Sequence, residues 1–321
     1  MNGVSNMNKS HGVIVGAYPA APSFHHKNID QEVEFWTNLS KNEAIRGIEQ
    51  PYLDSLHPFG TDFILNNIPE KWDIVITAIM ATMGQRKTNS AFGLASTNDS
   101  ERRACIDYYH QIYEATSRIN EKFKRNKIIA LQLQSAPDKN NKSVDDAVAC
   151  FYESVRTIQR WGWSCPLIIE HCDSMTGIAP QKGFLPLEKE IDVARELGIS
   201  LCINWARSVL ETKLTETALS HVLKASRAGV LKSVMFSGTT ASGAYGEWGD
   251  LHAPFAPFDG STAGCTESLM TVQHVQDIAS HIDLNSLDYI GAKLLEINAD
   301  ADVNHRTAII HDGVLALKKY I

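Results

Sequence analysis

Eight short apolar runs, spaced along the chain and separated by stretches of helical pattern, limit what this sequence can fold into more than any other feature. They are Gly12–Ala17, Ile45–Gln50, Asp73–Met80, Ile128–Gln134, Leu167–Cys172, Ser200–Asn204, Ser233–Ser237 and Ala292–Ile297. Runs this short, rich in β-branched and aliphatic residues, read as strands buried on both faces. Between most of them, apolar residues recur with the period of an amphipathic helix. Val144, Ala147, Val148, Phe151, Val155 and Ile158 make one such face. Looser versions span Arg102–Phe123, Leu187–Leu197, Thr215–Ala228, Glu267–Ile282 and Asn304–Tyr320. Asp99 or Ser100, Ser143 and Thr215 stand where side-chain N-caps belong, and Gly198 and Gly229 where helices end in a left-handed residue. The helix before the second run is the least defined. Strand–helix alternation implies a parallel sheet with right-handed crossovers. Eight units in 321 residues favour an α/β fold closed into a (β/α)8 TIM barrel over an open doubly wound sheet. The expected organisation is a flexible polar segment over 1–11 and a single barrel domain over 12–321.

Composition narrows the function classes. The net charge of −7 comes without a basic stripe, so neither nucleic acid nor an acidic membrane is an expected partner. No apolar stretch reaches the length of a membrane span. The first eleven residues lack a secretory apolar core, which places the expectation in the cytoplasm. The six cysteines (105, 150, 165, 172, 202 and 265) show no paired CxxC spacing, as suits buried thiols in a reducing compartment. Neither GxGxxG after the first run nor GxxxxGK[ST] occurs, so no nucleotide-type cofactor is expected.

In a barrel of this kind the strand C-termini carry the chemistry. Glu170 and Glu296 each close an apolar run, Leu167-Ile168-Ile169-Glu170 and Lys293-Leu294-Leu295-Glu296. Two carboxylates facing one site can take a proton from a carbon beside a carbonyl and return it, and a divalent metal on the same oxygens would polarise that carbonyl. The same pair serves glycoside cleavage equally well. A rim salt bridge, for instance with Arg207, is the plain alternative for either one. Around them, Glu49, Gln134, Asp173, Asn204, Arg207 and Ser237 form a polar set suited to a small polyhydroxylated ligand. Asp173 either binds a hydroxyl or caps the following turn. Glu49 and His57 either enter the site or form structural pairs. His171, next to Glu170, points to the opposite face and reads as a packing residue. His305 and Arg306 read as helix-start surface residues. A long segment, Gly238–Gly264, with six glycines, Tyr245, Trp248, His252, Phe255 and Phe258, follows the seventh run. It reads as a lid over the mouth, with Trp248 and His252 reaching substrate, or else as a surface insertion.

The strand ends resemble those of xylose-isomerase-like barrels, the group of sugar isomerases, sugar epimerases and related apurinic-site endonucleases. Phe92-Gly93-Leu94-Ala95-Ser96 with Arg102 or Arg103, Leu167–Asp173, Gly198–Ser208 and Ile290–Ile297 carry the likeness, in order, over most of the chain. The whole resembles a bacterial family with no assigned activity. The resemblance implies a divalent metal (Mn, Mg, Co or Zn) held by Glu, Asp, His and Glu from strands five to eight. Glu170 and Glu296 match the first and last ligands and would also be the proton-transfer pair. Asn204 stands at the Asp position, Arg207 where a histidine often follows it, and Met235 or Ser237 near the strand-seven histidine. The implied activity is a sugar isomerase or epimerase acting on a carbohydrate, with Glu170, Glu296 and Asn204 as the metal set. A homodimer would suit such barrels. The alternatives are a carboxylate-based glycoside hydrolase or lyase, and a non-catalytic carbohydrate-binding barrel.

Overall fold

A computed structural model describes residues 12–141 and 143–321. The expected flexible segment over 1–11 lies outside the described residues. The eight runs form a closed parallel barrel in sequential order. Its first half runs β1 (Val13–Gly16), α1 (Ile29–Ser40), β2 (Ile45–Pro51), α2 (Thr61–Asn67), β3 (Asp73–Thr77), α3 (Ile79–Thr88), α4 (Asp99–Phe123) and β4 (Ile128–Leu133). The second runs α5 (Val144–Gln159), β5 (Leu167–His171), α6 (Leu187–Leu197), β6 (Ser200–Asn204), α7 (Trp205–Thr212), α8 (Glu216–Arg227), β7 (Leu231–Phe236), α9 (Val272–His281), β8 (Tyr289–Lys293) and α10 (Val303–Leu317).

The two-residue period of the strands sorts their side chains. Ile14, Val75, Ala130, Ile168, Cys202, Met235 and Tyr289 point inward and pack together as the barrel interior. Their neighbours, such as Val13, Ile74, Leu131, Ile169, Ile203 and Val234, join the larger core beneath the helices. Toward the C-terminal ends of the strands the inward positions turn polar. Gln132, Glu170, Asn204 and Lys293 are buried there, with Glu49 on β2. An apolar floor thus supports a polar upper layer at the C-terminal ends. Close packing at that floor leaves no room for a side chain at Gly291, where a Cβ would sit 2.3 Å from the Ile14 carbonyl oxygen.

The helices follow their apolar faces. α5 begins at Ser143, whose hydroxyl accepts from Asp146 N, and α6 ends at Gly198 with φ +66°. Asn98, rather than Asp99 or Ser100, caps α4, and Thr215 precedes α8 without a side-chain cap. The short helices α2, α3 and α7 were not anticipated; at seven to ten residues they show too few turns for a periodic signal.

The main correction concerns the last strand. β8 runs Tyr289–Lys293, not 292–297. Its partner β1 has only four residues, and the ladder closes with Gly16 opposite Lys293. Leu294 then packs outward against Gly313 of α10, and Leu295 joins Tyr245, Ala253 and Cys265 in a loop cluster. β3 likewise stops at Thr77 because α3 starts at Ile79.

The segment 238–264 holds no helix or strand. It is fastened by bridges between Gly238 and Ala253 and between Thr240 and Ser268, and by Tyr245 donating its hydroxyl to the Leu295 carbonyl at 2.8 Å. Among the described residues no helix is long and apolar enough to cross a membrane. All six cysteines are free thiols, five of them buried.

Candidate functional site at the barrel mouth

β5 presents Glu170 to the interior, where the carboxylate is fully buried. Its Oε1 lies 2.5 Å from Arg207 Nη1 and 3.6 Å from Lys293 Nζ. Its Oε2 accepts from Gln134 Nε2 at 3.1 Å, and Gln134 is oriented by the Tyr109 hydroxyl. Lys293 reaches across to Glu49, with Nζ 2.5 Å from Oε1, while Glu49 Oε2 accepts from Gln132 Nε2 at 2.9 Å. Arg207 sits in the first turn of α7. Asn204 caps that helix, its Oδ1 accepting from Arg207 N and from the Ser237 hydroxyl at 2.9 Å.

The long segment completes the cluster. Asp250 Oδ2 lies 3.3 Å from Arg207 Nε and pairs with Lys182, and His252 Nδ1 stands 3.3 Å from Ser237 Oγ. Lys182 is delivered by Asp173, whose Oδ2 accepts from the backbone of Gln181 (2.6 Å) and Lys182 (2.9 Å). Three acids and three cations therefore meet in a buried space.

Burial alone would raise the Glu170 carboxyl, but Arg207 and then Lys293 hold it down at about 2. Glu49 goes the other way, pushed up by burial despite Lys293. Burial would also weaken the Lys293 ammonium, and Glu170 and Glu49 keep it well above the usual lysine range. Asp250 is held well below the carboxylate range by Lys182 and Arg207 against its burial. Burial drops His252 to about 3, so its ring is neutral.

The structure brings together Glu49, Gln134, Glu170, Asn204, Arg207, Ser237 and His252 of the residues expected at the mouth. Asp173 takes the turn-capping role. Trp248 lends its carbonyl to Gln181 and lays its ring over the Lys213 ammonium, 5.5 Å away. Glu296 departs from the expectation of matched strand ends. With β8 ending at Lys293, it lies three residues beyond the strand, where its Oε1 accepts from Asn298 N and its Oε2 meets His305 Nε2 at 3.0 Å. His57 belongs to a structural pair with Glu32, and Arg306 bonds the carbonyls of Ala20, Asn298, Ala299 and Ala301. The residue that sequence reasoning overlooked is Lys293. Its signal was a lysine inside an apolar run, at an even spacing from Tyr289 and Gly291. Lys182 and Asp250 depend on loop paths and carry no such signal.

A divalent ion between Glu170, Asn204 and Glu296 does not fit this arrangement. The inward place at the end of β8 is taken by an ammonium, Glu170 is already matched by two cations, and Glu296 turns to His305. Asn204 spends its oxygen on Ser237 and the helix cap, leaving Nδ2 buried without a partner, and that atom is a donor. A shallow depression of about 770 Å³ between α1 and α10 is lined by helix-surface residues such as Asn38, Lys41 and His311, apart from this cluster.

The family described as Domain of unknown function (DUF4862) matches residues 14–309. An uncharacterized protein of Salmonella typhimurium is 49% identical over 313 residues, covering 98% of this chain and 99% of its own. Among solved structures, a Rhodospirillum rubrum protein described as a "Putative Xylose isomerase" superposes with a TM-score of 0.60 at 12% identity, over 97% of this chain and 100% of its own. An Anabaena variabilis protein described as a "putative sugar phosphate isomerase/epimerase" gives 0.55 at 13%, with the same coverage. These structures share the fold of this chain, a closed eight-stranded parallel barrel.

Proposed function

We propose, from the premise that this chain belongs to the DUF4862 family, that it is an isomerase or epimerase of a sugar or sugar derivative, moving a proton next to a carbonyl. The observation that carries this reading is the pair of buried cations, Lys293 and Arg207, converging on Glu170. An enediolate forming at the mouth would find positive charge already aimed at it in a site closed to water, where such preorganisation is worth most. A substrate oxygen that draws the two cations to itself leaves Glu170 less masked and better able to take the carbon-bound proton. Gln132 Oε1 and Asn204 Nδ2, both buried without a protein partner, are placed to bind hydroxyls. Ser237 and His252 line the same side. Glu296 and His305 form a second acid and base at the rim. Glycoside cleavage needs two carboxylates flanking one bond, and the separate pairing of Glu170 and Glu296 favours proton transfer over it.

The test is proton exchange. Aldoses, ketoses and their phosphates are incubated with the protein in D2O and followed by NMR for exchange at the carbon beside the carbonyl. At least one sugar class should exchange, and Glu170→Gln or Lys293→Met should slow it by about a hundredfold or more. Absence of exchange with every class, or exchange unchanged in both variants, would overturn the reading.

A further inference from the structure

Behind β5, on the side away from the mouth, three ligand-type residues converge. His171 points outward from the strand, Glu211 comes from the end of α7 and His221 from α8. One atom from each, two imidazole nitrogens and a carboxylate oxygen, all lie within 4.8 Å of one another. We propose that this cluster is a zinc site, distinct from the barrel mouth and independent of the reaction proposed there.

The arrangement around the two imidazoles supports it. His171 Nδ1 lies 2.7 Å from Glu190 Oε2, and Glu190 is itself held by the Ser135 hydroxyl at 2.7 Å. His221 Nδ1 lies 3.0 Å from the Ser208 hydroxyl. Each ring is thus oriented from behind, which leaves its Nε2 facing Glu211. A carboxylate behind a histidine is the usual outer support of a metal-bound imidazole, fixing tautomer and ring plane. His171 Nε2 is fully buried and stands 3.4 Å from Glu211 Oε2, an ion-pair contact without a formed hydrogen bond. His221 Nε2 lies 4.0 Å from the other carboxylate oxygen. Zinc bonds of about 2.0–2.1 Å set tetrahedral ligand–ligand edges of roughly 3.3 Å, so the His171–Glu211 edge is already near length, and separations of up to 4.8 Å within the set must close on binding. Glu211 keeps its position through Ser174 N, which donates to Oε2 at 2.9 Å.

The donor set decides the class of ion. Two nitrogens and one carboxylate suit zinc, whereas magnesium and calcium favour oxygen shells. The Glu211 side chain is 16% exposed, so one side of the cluster reaches solvent and a water can supply the fourth ligand. An ion here would join β5 to α7 and α8, directly beneath the loop that begins at Asp173.

The full chain, without a histidine tag, is stripped with a chelator and titrated with zinc. Metal content and melting temperature are read together, and cobalt is then substituted for its visible absorption. One zinc per chain is expected, with a rise in melting temperature and the intense absorption of four-coordinate cobalt. His221→Ala and Glu211→Gln should lose the ion, while Glu170→Gln, at the mouth, should keep it. Failure of the wild-type chain to take up zinc, or cobalt spectra typical of six oxygen ligands, overturns the proposal without reference to any variant. So does full zinc retention in both His221→Ala and Glu211→Gln. The cluster is then a protonated histidine held between two carboxylates.

Discussion

Glu170 and His171 are consecutive residues of one strand, and the pleat sends them into opposite chemical worlds. Glu170 enters a space where Glu49, Glu170 and Asp250 are matched by Lys293, Arg207 and Lys182. His171 enters one where Glu190 and Glu211 have no lysine or arginine among their described contacts. The first cluster carries its counter-ions on its own side chains. The second has two carboxylates, two imidazoles and an incomplete set of partners. A buried charge is tolerated only when it is paired or coordinated. The barrel thus answers the same physical demand in two ways: by residues inside the mouth, and by a proton or a metal behind the wall.

The largest expected effect is at the mouth. Lys293→Met preserves bulk but leaves Glu49 and Glu170 short of a cation, and should cost about 3–5 kcal/mol in urea unfolding. Adding Glu49→Gln should return much of that loss. A change below about 1 kcal/mol, the range of exposed pairs, would show that the mouth is hydrated and the contrast false. Behind the wall the effect should appear in binding. Glu190→Gln removes the carboxylate support of His171 and should weaken zinc roughly 10–100-fold, with Glu170→Gln unchanged. Equal weakening in both variants would mean that the two clusters are one.

The effect that vanishes at neutral pH, and grows only in acid, concerns His252. Burial keeps the His252 ring neutral in the folded state down to about 3, against about 6.5 in the unfolded chain. The folded state therefore binds fewer protons between those values. This group costs nothing above about pH 6.5, and stability falls as pH drops from there toward 3, by up to about 1.4 kcal/mol per unit. His252→Asn should flatten the acid limb of stability against pH by that amount. An unchanged slope would place His252 in solvent, outside the mouth.

Much of this architecture was legible from periodicity. Seven of the eight strands fall where the apolar runs are, and the same period placed Glu170 inside and His171 outside. The eighth slipped because Leu294 and Leu295 look like strand residues, yet they serve α10 and the loop cluster. That slip of register moved a glutamate into the place that Lys293 holds. Gln134, Asn204, Arg207 and Ser237 were accessible because strand ends are local features. Asp250, Lys182, Glu211 and His221 were not, since they meet through loop paths and helix packing over long sequence separations.

The salt bridge between Asp250 and Arg207 has a thermodynamic consequence for ligand choice. Asp250 acts as an inhibitor tethered to its own receptor. An anion arriving at Arg207 would compete with a carboxylate that its own chain already holds 3.3 Å from that guanidinium. Such competition would disfavour weakly bound anions. A ligand bound at Arg207, as the proposed function requires, would have to displace Asp250, so its binding would be coupled to the placement of the segment that carries Asp250.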